Sequence, residues 1–320
     1  MARVAHSHLF RTALANWRRA VRCVALSVCM SAVTAAYAEA QDVTDRYQYI
    51  GSARLFSNDA FGDGRDRWRT GSYRASFGFV PPTSSRIAKF FRMIEFRGGA
   101  EVVTPEKLST SIDSDRRYAG ILNLGVRGHA VMAQDTYVTS GLDVYVVGPQ
   151  TNLYRIQEAI HRALGMPYSE RAAELQIEDK VYLAVNNEFA RTYDLGRASA
   201  RPFIETHIGM ETYVRGGLDL TIGDWPADRL VTRDITTGHL LPFVQNAQRV
   251  TVTMGVDWAH VVESRLLGDI VRQDRFRARF GINAHEKESR LFFGMAYLGP
   301  EAIDQGNGQL VGSVSFNFSF

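Results

Sequence analysis

Val314-Ser315-Phe316-Asn317-Phe318-Ser319-Phe320 ends the sequence with an apolar side chain at every second position and an aromatic residue last. Successive side chains of an extended strand point to opposite faces, so this stretch has one apolar and one polar face. The same parity recurs upstream. Val250, Val252, Met254, Val256 and Trp258 alternate with Thr251, Thr253, Gly255 and Asp257, and Phe276, Ala278, Phe280 and Ile282 alternate with Arg277, Arg279, Gly281 and Asn283. Charged residues on the second face fit strands that meet lipid outside and line a polar lumen inside. A soluble sandwich also alternates, with its apolar face turned to a core and its charged face to water, so parity alone does not separate the two.

The first residues tilt the balance toward a membrane. Residues 1–22 are basic, 23–36 are mostly apolar, and Ala36-Tyr37-Ala38 offers small residues at a cleavage spacing. Residues 1–38 are therefore expected to be a secretory signal peptide and 39–320 the mature domain; a cut after Ala40 fits equally. The apolar run is short of the ~20 residues of a spanning helix, and Val28 before Cys29 argues against a lipid-attachment box. Both cysteines, Cys23 and Cys29, lie in this leader, so the mature chain is expected to have no disulfide, thiol nucleophile or cysteine-ligated zinc. The formal charge of +3 also comes from the leader, which holds five arginines and no acid. The remainder has 32 basic and 34 acidic residues, a charge of −2, and the basic pI gives no support to a nucleic-acid partner.

After residue 40 no stretch reaches the ~18 apolar residues of a membrane helix, so spanning requires a barrel. Segments 46–57, 68–80, 88–104, 118–132, 134–148, 174–191, 199–213, 214–223 and 289–300 join the three strands already quoted. The expected fold is all-β: a transmembrane antiparallel β-barrel of about twelve strands, an even number as bacterial barrels require. With both termini in the periplasm, 58–67, 105–117, 149–173, 260–273 and 300–308 face outward. The longest of these contains a helix over 151–164, where Leu153, Ile156, Ile160 and Leu164 form one stripe and Gln157 and His161 sit on its flank. Pro149 and Gly165 suit its start and stop.

Familiar hydrolase signatures are missing: the sequence has no Gly-x-Ser-x-Gly elbow, no His-Glu-x-x-His zinc helix, no phosphate-cradling Gly-Lys-Ser/Thr loop and no EF-hand. What remains are polar groups at the outward ends of strands: Asn58 and Asp59, Thr70, and Gln157 with His161. A neutral imidazole titrates near working pH and can act as a base on water. An amide-carboxylate pair at a strand end offers the oxygens that calcium prefers. Read singly, His161 is as well explained as an interfacial polar residue, and Asn58-Asp59 as a turn former. Arg65, Arg67, Arg69, Arg116 and Arg117 in or beside outward loops fit either solvated loop charge or phosphate recognition.

Their order and spacing carry more. Gly148-Pro149, then after seven residues Gln157-x-x-x-His161 and Gly165, together with Asn58-Asp59 and Thr70-Gly71, resembles the outer-membrane lipid A 3′-O-deacylase family over essentially the whole mature chain. The resemblance implies a twelve-stranded barrel whose site lies between the outer part of the wall and the loop helix, facing the outer leaflet. It implies a calcium-dependent ester hydrolase that removes a 3′-O-linked acyl or acyloxyacyl group from lipid A of lipopolysaccharide. His161 matches the catalytic histidine, Asn58, Asp59, Thr70 and Gln157 match its partners, and Asn58 and Asp59 are the candidate Ca2+ ligands. Lys107 and Arg67 are candidates for substrate binding, and Glu170, in a stretch of altered register, receives no role. The expected partners are lipid A and the outer membrane, with the chain acting as a monomer. The rival readings are a non-enzymatic barrel such as a small porin or adhesin, an outer-membrane phospholipase, and a soluble periplasmic β-protein.

Overall fold

A computed structural model describes residues 46–106, 116–132, 135–166, 174–223, 230–243, 250–286 and 289–318. The leader, Lys107 and Glu170 lie outside the described residues. The strands are β1 (Gln48–Asn58), β2 (Trp68–Val80), β3 (Met93–Thr104), β4 (Ala119–Met132), β5 (Thr136–Val147), β6 (Lys180–Arg191), β7 (Tyr193–Asp194), β8 (Ala198–Ile208), β9 (Glu211–Ile222), β10 (Val231–Arg233), β11 (Leu240–Pro242), β12 (Val250–Ser264), β13 (Asp274–Glu286), β14 (Ser289–Leu298) and β15 (Gln309–Phe318).

Twelve of them form a closed antiparallel barrel. The ladder runs β6-β5-β4-β3-β2-β1-β15-β14-β13-β12-β9-β8, and β6 pairs with β8 to complete the ring. The first and last strands meet through Phe56 opposite Val314 and Asn58 opposite Gly312. Closure removes the sheet edge, which is what lets strands cross hydrocarbon with every backbone group paired.

Side-chain exposure settles the barrel against the sandwich. On β12, Val250, Met254, Val256 and Trp258 are exposed while Thr251, Thr253 and Asp257 are buried, the inverse of a soluble protein. Two expected strand limits move. The segment expected from 174 is strand only from Lys180, and the break expected after 213 falls at Gly209-Met210, between β8 and β9. Ile204 and Ile208 before the turn and Val214 after it share one parity and all face outward, so parity does not mark the reversal. A side chain at Gly209 would meet the Ala184 Cβ at 2.4 Å, which explains how the chain reverses so close to the wall.

The buried polar face is a lattice of ion pairs. Asp257 is contacted by Arg277 at 2.9 Å, Arg215 at 3.2 Å and also Arg279. Asp219 meets Arg233 at 2.8 Å and also Arg279, while Glu188 joins Arg201 at 2.7 Å to Arg233 at 2.6 Å. Such charges are tolerable only because they are paired, since an unpaired one in this setting costs several kcal/mol.

The connection between β9 and β12, whose luminal part the alternation did not reveal, enters the lumen. There β10 pairs with β11, Val231 opposite Pro242. Leu230, Leu241 and Phe243 pack against Ala53, Leu55, Met93 and Phe292 of the wall. Arg74 reaches Asp234 at 3.3 Å, and Arg277 donates to the Ile235 and Thr236 carbonyls at 2.7 and 3.1 Å. At the hairpin tip Asp234 accepts from the Thr237 N–H at 2.7 Å, and Gly238 adopts φ 79°, which glycine takes without strain. A hairpin placed in this way is expected to obstruct conduction. In planar bilayers the purified protein should show no steady open channel, and deletion of residues 231–242 should produce stepwise conductance; an open channel in the intact protein would contradict the plug.

Candidate active site at the outer rim

The loop helix, α1 (Leu153–Leu164), follows a single 3₁₀ turn at Pro149–Thr151. The Thr151 hydroxyl donates to the Gly148 carbonyl at 2.8 Å, and Asn152 takes the left-handed conformation at φ 55° to enter the helix. Gly165, at φ 67°, ends it, as expected from the sequence, and the Met166 N–H returns to the His161 carbonyl at 2.8 Å. The helix begins two residues later than the expected 151.

Its orientation overturns the simplest reading of its stripe. Leu153, Gln157 and His161 are buried, whereas Ile156, Ile160 and Leu164 are exposed. The side that docks is thus the polar flank and not the apolar row. Gly120 makes that docking possible: a Cβ there would stand 2.5 Å from the Thr151 Oγ1 and 3.0 Å from the Leu153 Cβ. Gly120 shares its face of β4 with the exposed Leu122, Leu124 and Val126, so the start of the helix leans on the outside of the wall.

The loop from β1 to β2 supplies the facing groups. The Asn58 Oδ1 accepts from the Ala60 N–H at 2.8 Å and caps the 3₁₀ turn Asp59–Phe61. Asp59 is fully buried and accepts from the Arg67 N–H at 2.8 Å and the Thr70 hydroxyl at 3.2 Å. Thr70 sits where the β2–β3 register shifts, between Arg69 and Gly71. Trp68, just before it, is held at φ 55°, an uncommon conformation for a bulky residue and a place where strain is stored. The Arg67 guanidinium lies 3.9 Å from the centre of that indole.

Asp66, which the sequence reading did not single out, joins the two halves. One of its oxygens contacts the Thr70 hydroxyl and the other lies 3.1 Å from the His161 Nε2. His161, Asp66, Thr70 and Asp59 therefore form a continuous chain of polar contacts from helix to strand. Gln157 is buried one turn before His161 on the same helix face. Asn58 stays at the edge of the group, its Nδ2 lying 3.2 Å from where a Cβ on Gly71 would be. Arg67 holds the loop: its amino groups reach Asp63 at 3.1 Å and Glu106 at 3.3 Å, so a phosphate would have to compete with both. Arg69 and Arg116 turn into the barrel mouth, where both meet Glu301 at 2.8 Å. Asp66 is one of two acids, with Asp63, between Asp59 and Thr70, and nothing in its spacing sets it apart until the helix is brought to the loop.

The electrostatics of this group are unbalanced. Burial pushes the Asp59 carboxyl up from 3.8 to about 8, with the Arg67 N–H opposing and the charges of Asp66 and Asp63 adding to the rise. A single hydroxyl proton on Thr70 cannot serve two carboxylates at once, which fits the raised Asp59 carboxyl keeping its own proton. The donors are all carboxylate, hydroxyl and amide oxygens, the set that calcium takes. Among the described residues no three acidic or imidazole groups already converge as a metal cage. Carbonyls and water would complete the shell.

Because the charged form of Asp59 is disfavoured in the folded state, this group favours folding at low pH and withdraws that contribution as pH rises from 3.8 to about 8. In cation-free detergent, the urea midpoint of the wild type should fall relative to Asp59→Asn over that interval. A constant difference across it would show that Asp59 titrates normally.

A family model and one solved structure agree with this architecture. A family described as outer membrane protein LpxR matches residues 24–320. Among solved structures, LpxR from Salmonella typhimurium aligns with a TM-score of 0.69 at 15% identity, covering 84% of this chain and 100% of that one. The β domain of the Bordetella autotransporter BrkA aligns with a TM-score of 0.45 at 14% identity, covering 85% of this chain and 99% of that one. The translocator domain of the autotransporter NalP from Neisseria meningitidis aligns with a TM-score of 0.41 at 9% identity, covering 95% and 97%. No curated protein matches the chain. A profile that spans nearly the whole sequence, over a barrel of the same build, makes this chain a member of the outer membrane protein LpxR family.

Proposed function

We propose that this protein is a lipid A deacylase that hydrolyses the 3′-O-linked acyl or acyloxyacyl ester in the outer leaflet, acting as a monomer. The observation that carries the reading is the 3.1 Å contact between the His161 Nε2 and Asp66, on a helix leaning against the outside of the wall. Membership of the LpxR family supports the substrate class.

In the proposed reaction His161 takes a proton from water on the ring nitrogen that Asp66 does not engage, while the water oxygen bonds to the ester carbonyl carbon. Asp66 orients the ring and stabilises the imidazolium. Collapse of the tetrahedral adduct breaks the bond to the sugar oxygen, which receives the proton from His161 and leaves as the 3′-hydroxyl. The acyl group departs as a carboxylic acid. A base of this kind is worth roughly 10²–10⁴-fold. No serine nucleophile is needed, in keeping with the missing elbow motif.

Asp59, with Asn58 at the rim, is the proposed seat of a calcium ion. When bound, that ion supplies positive charge beside the developing oxyanion, a contribution typically of ~3–4 kcal/mol. Thr70 ties Asp59 to Asp66 and keeps the loop in register with the helix, and Gln157 positions water or substrate beside the imidazole. Lys107 and Arg67 are proposed contacts for the lipid A phosphates, with Arg67 reaching them only by exchanging one of its carboxylate partners.

The test is the mass of lipid A after incubation with detergent-purified protein. The wild type should remove one 3′ acyl group and leave phospholipid intact. His161→Ala should slow this by roughly 10²–10⁴-fold, and Asp66→Asn should lower kcat with little change in KM. A chelator should abolish turnover and calcium should restore it, with the apparent affinity for calcium falling as pH drops below about 8, because the ion displaces the Asp59 proton. Fatty acid released from phospholipid instead would favour the phospholipase reading. Unchanged lipid A would favour a non-enzymatic barrel.

A further inference from the structure

On α1 the side chains fall into three arcs that overlap only at Leu164, which is exposed at the last residue of the helix. Residues step by about 100° around a helix, so Leu153, Gln157 and His161 share the buried arc against the wall. Ala159, Ala163, Ile156, Ile160 and Leu164 follow one another around an exposed apolar arc. Arg155 and Arg162, with Tyr154 and Glu158, occupy the opposite side. There Arg162 pairs with Glu158 at 2.5 Å, and Arg155 donates to the Tyr154 hydroxyl at 2.8 Å.

The apolar arc is too exposed for a helix that faces water: Ile156 is 54% exposed, Ile160 51% and Leu164 68%. It lies at the outward end of an equally bare stretch of wall. Leu122, Leu124, Leu142, Val144, Val181 and Leu183 on β4, β5 and β6 all point outward and are exposed, and the start of the helix rests on Gly120 of the same face. This part of the wall is the barrel's contact with hydrocarbon, and the apolar arc continues it beyond the last strand residues.

We infer that α1 is an interfacial helix whose Ile156, Ile160 and Leu164 enter the acyl region of the outer leaflet while Arg155 and Arg162 remain among the headgroups. Helices with this division of faces lie in the membrane plane, their apolar side ~5–10 Å into the headgroup–acyl boundary. The occupant of the face is thus the lipid surface itself. Its consequence, which rests on the deacylase reading, is that the bilayer fixes the height of His161 at the ester linkages of a lipid whose chains point down and whose sugars point up. Substrate then reaches the site by lateral movement in the leaflet, with no need to leave it.

The arrangement is testable without turnover, so its failure and that of the proposed reaction are separable. No cysteine occurs after Cys29, which allows single nitroxide labels at Ile156→Cys, Ile160→Cys, Leu164→Cys, Arg155→Cys and Arg162→Cys in protein reconstituted into phosphatidylethanolamine–phosphatidylglycerol vesicles. Labels at 156, 160 and 164 should collide preferentially with dissolved oxygen, and labels at 155 and 162 with a water-soluble nickel chelate. Three apolar positions keep the result readable if one variant does not fold, and heat-dependent gel mobility identifies folded samples. Equal access of the nickel chelate to 160 and 155 would overturn the inference and place the helix in water or against another protein. Deep labels in a protein that leaves lipid A intact would sustain the inference and remove only the reaction.

Discussion

A peptide group in hydrocarbon must find its partner within the protein, and the pairing of β6 with β8 that closes the ring is what meets that demand here. Everything else follows from closure. Twelve tilted strands with alternating side chains put Val250, Met254, Val256 and Trp258 against lipid and drive Thr251, Thr253 and Asp257 inward. The interior so formed is mostly polar, with an apolar patch where the hairpin meets the wall. Its carboxylates and guanidiniums neutralise one another in chains such as Arg201–Glu188–Arg233–Asp219–Arg279–Asp257. The hairpin of β10 and β11 occupies part of the lumen, its carbonyls held by Arg277 and Arg290.

The rim is where the backbone becomes irregular, and the proposed site lies there. A register shift at Thr70, a left-handed Trp68 and a 3₁₀ turn at Asp59 lie within a dozen residues. Irregularity aims side chains that a regular ladder would send straight in or straight out. Asp59 illustrates the cost: buried beside Asp63 and Asp66, it holds its proton up to about 8. A group so placed is a poor contributor to folding at neutral pH, and the proposed calcium would relieve the repulsion between it and its acidic neighbours.

The barrel was legible because alternation is strict wherever one face meets lipid. It failed at Gly209-Met210 because a two-residue turn keeps parity across the reversal. The luminal hairpin was not legible: Leu230, Leu241 and Phe243 pack on the inner wall in a segment too short and irregular for either period. The helix was found with its apolar stripe and polar flank, but the pattern did not say which of the two docks. The rule that an apolar stripe points to protein assumes water on the other side, and outside a membrane barrel the other side is lipid. Of the site, Asn58, Asp59, Thr70, Gln157 and His161 were singled out, and four of the five are buried at one rim position. Asp66 was not, because a carboxylate in a loop between arginines gives no pattern until the loop and the helix are brought together.

That meeting is the central claim: the helix imidazole and the loop carboxylate act as one unit. A double-mutant cycle on kcat for lipid A deacylation, comparing His161→Ala, Asp66→Asn and the pair, measures it directly. The account predicts strong non-additivity, with the double variant no slower than His161→Ala alone. Independent effects, in which the two losses multiply in full, would contradict it.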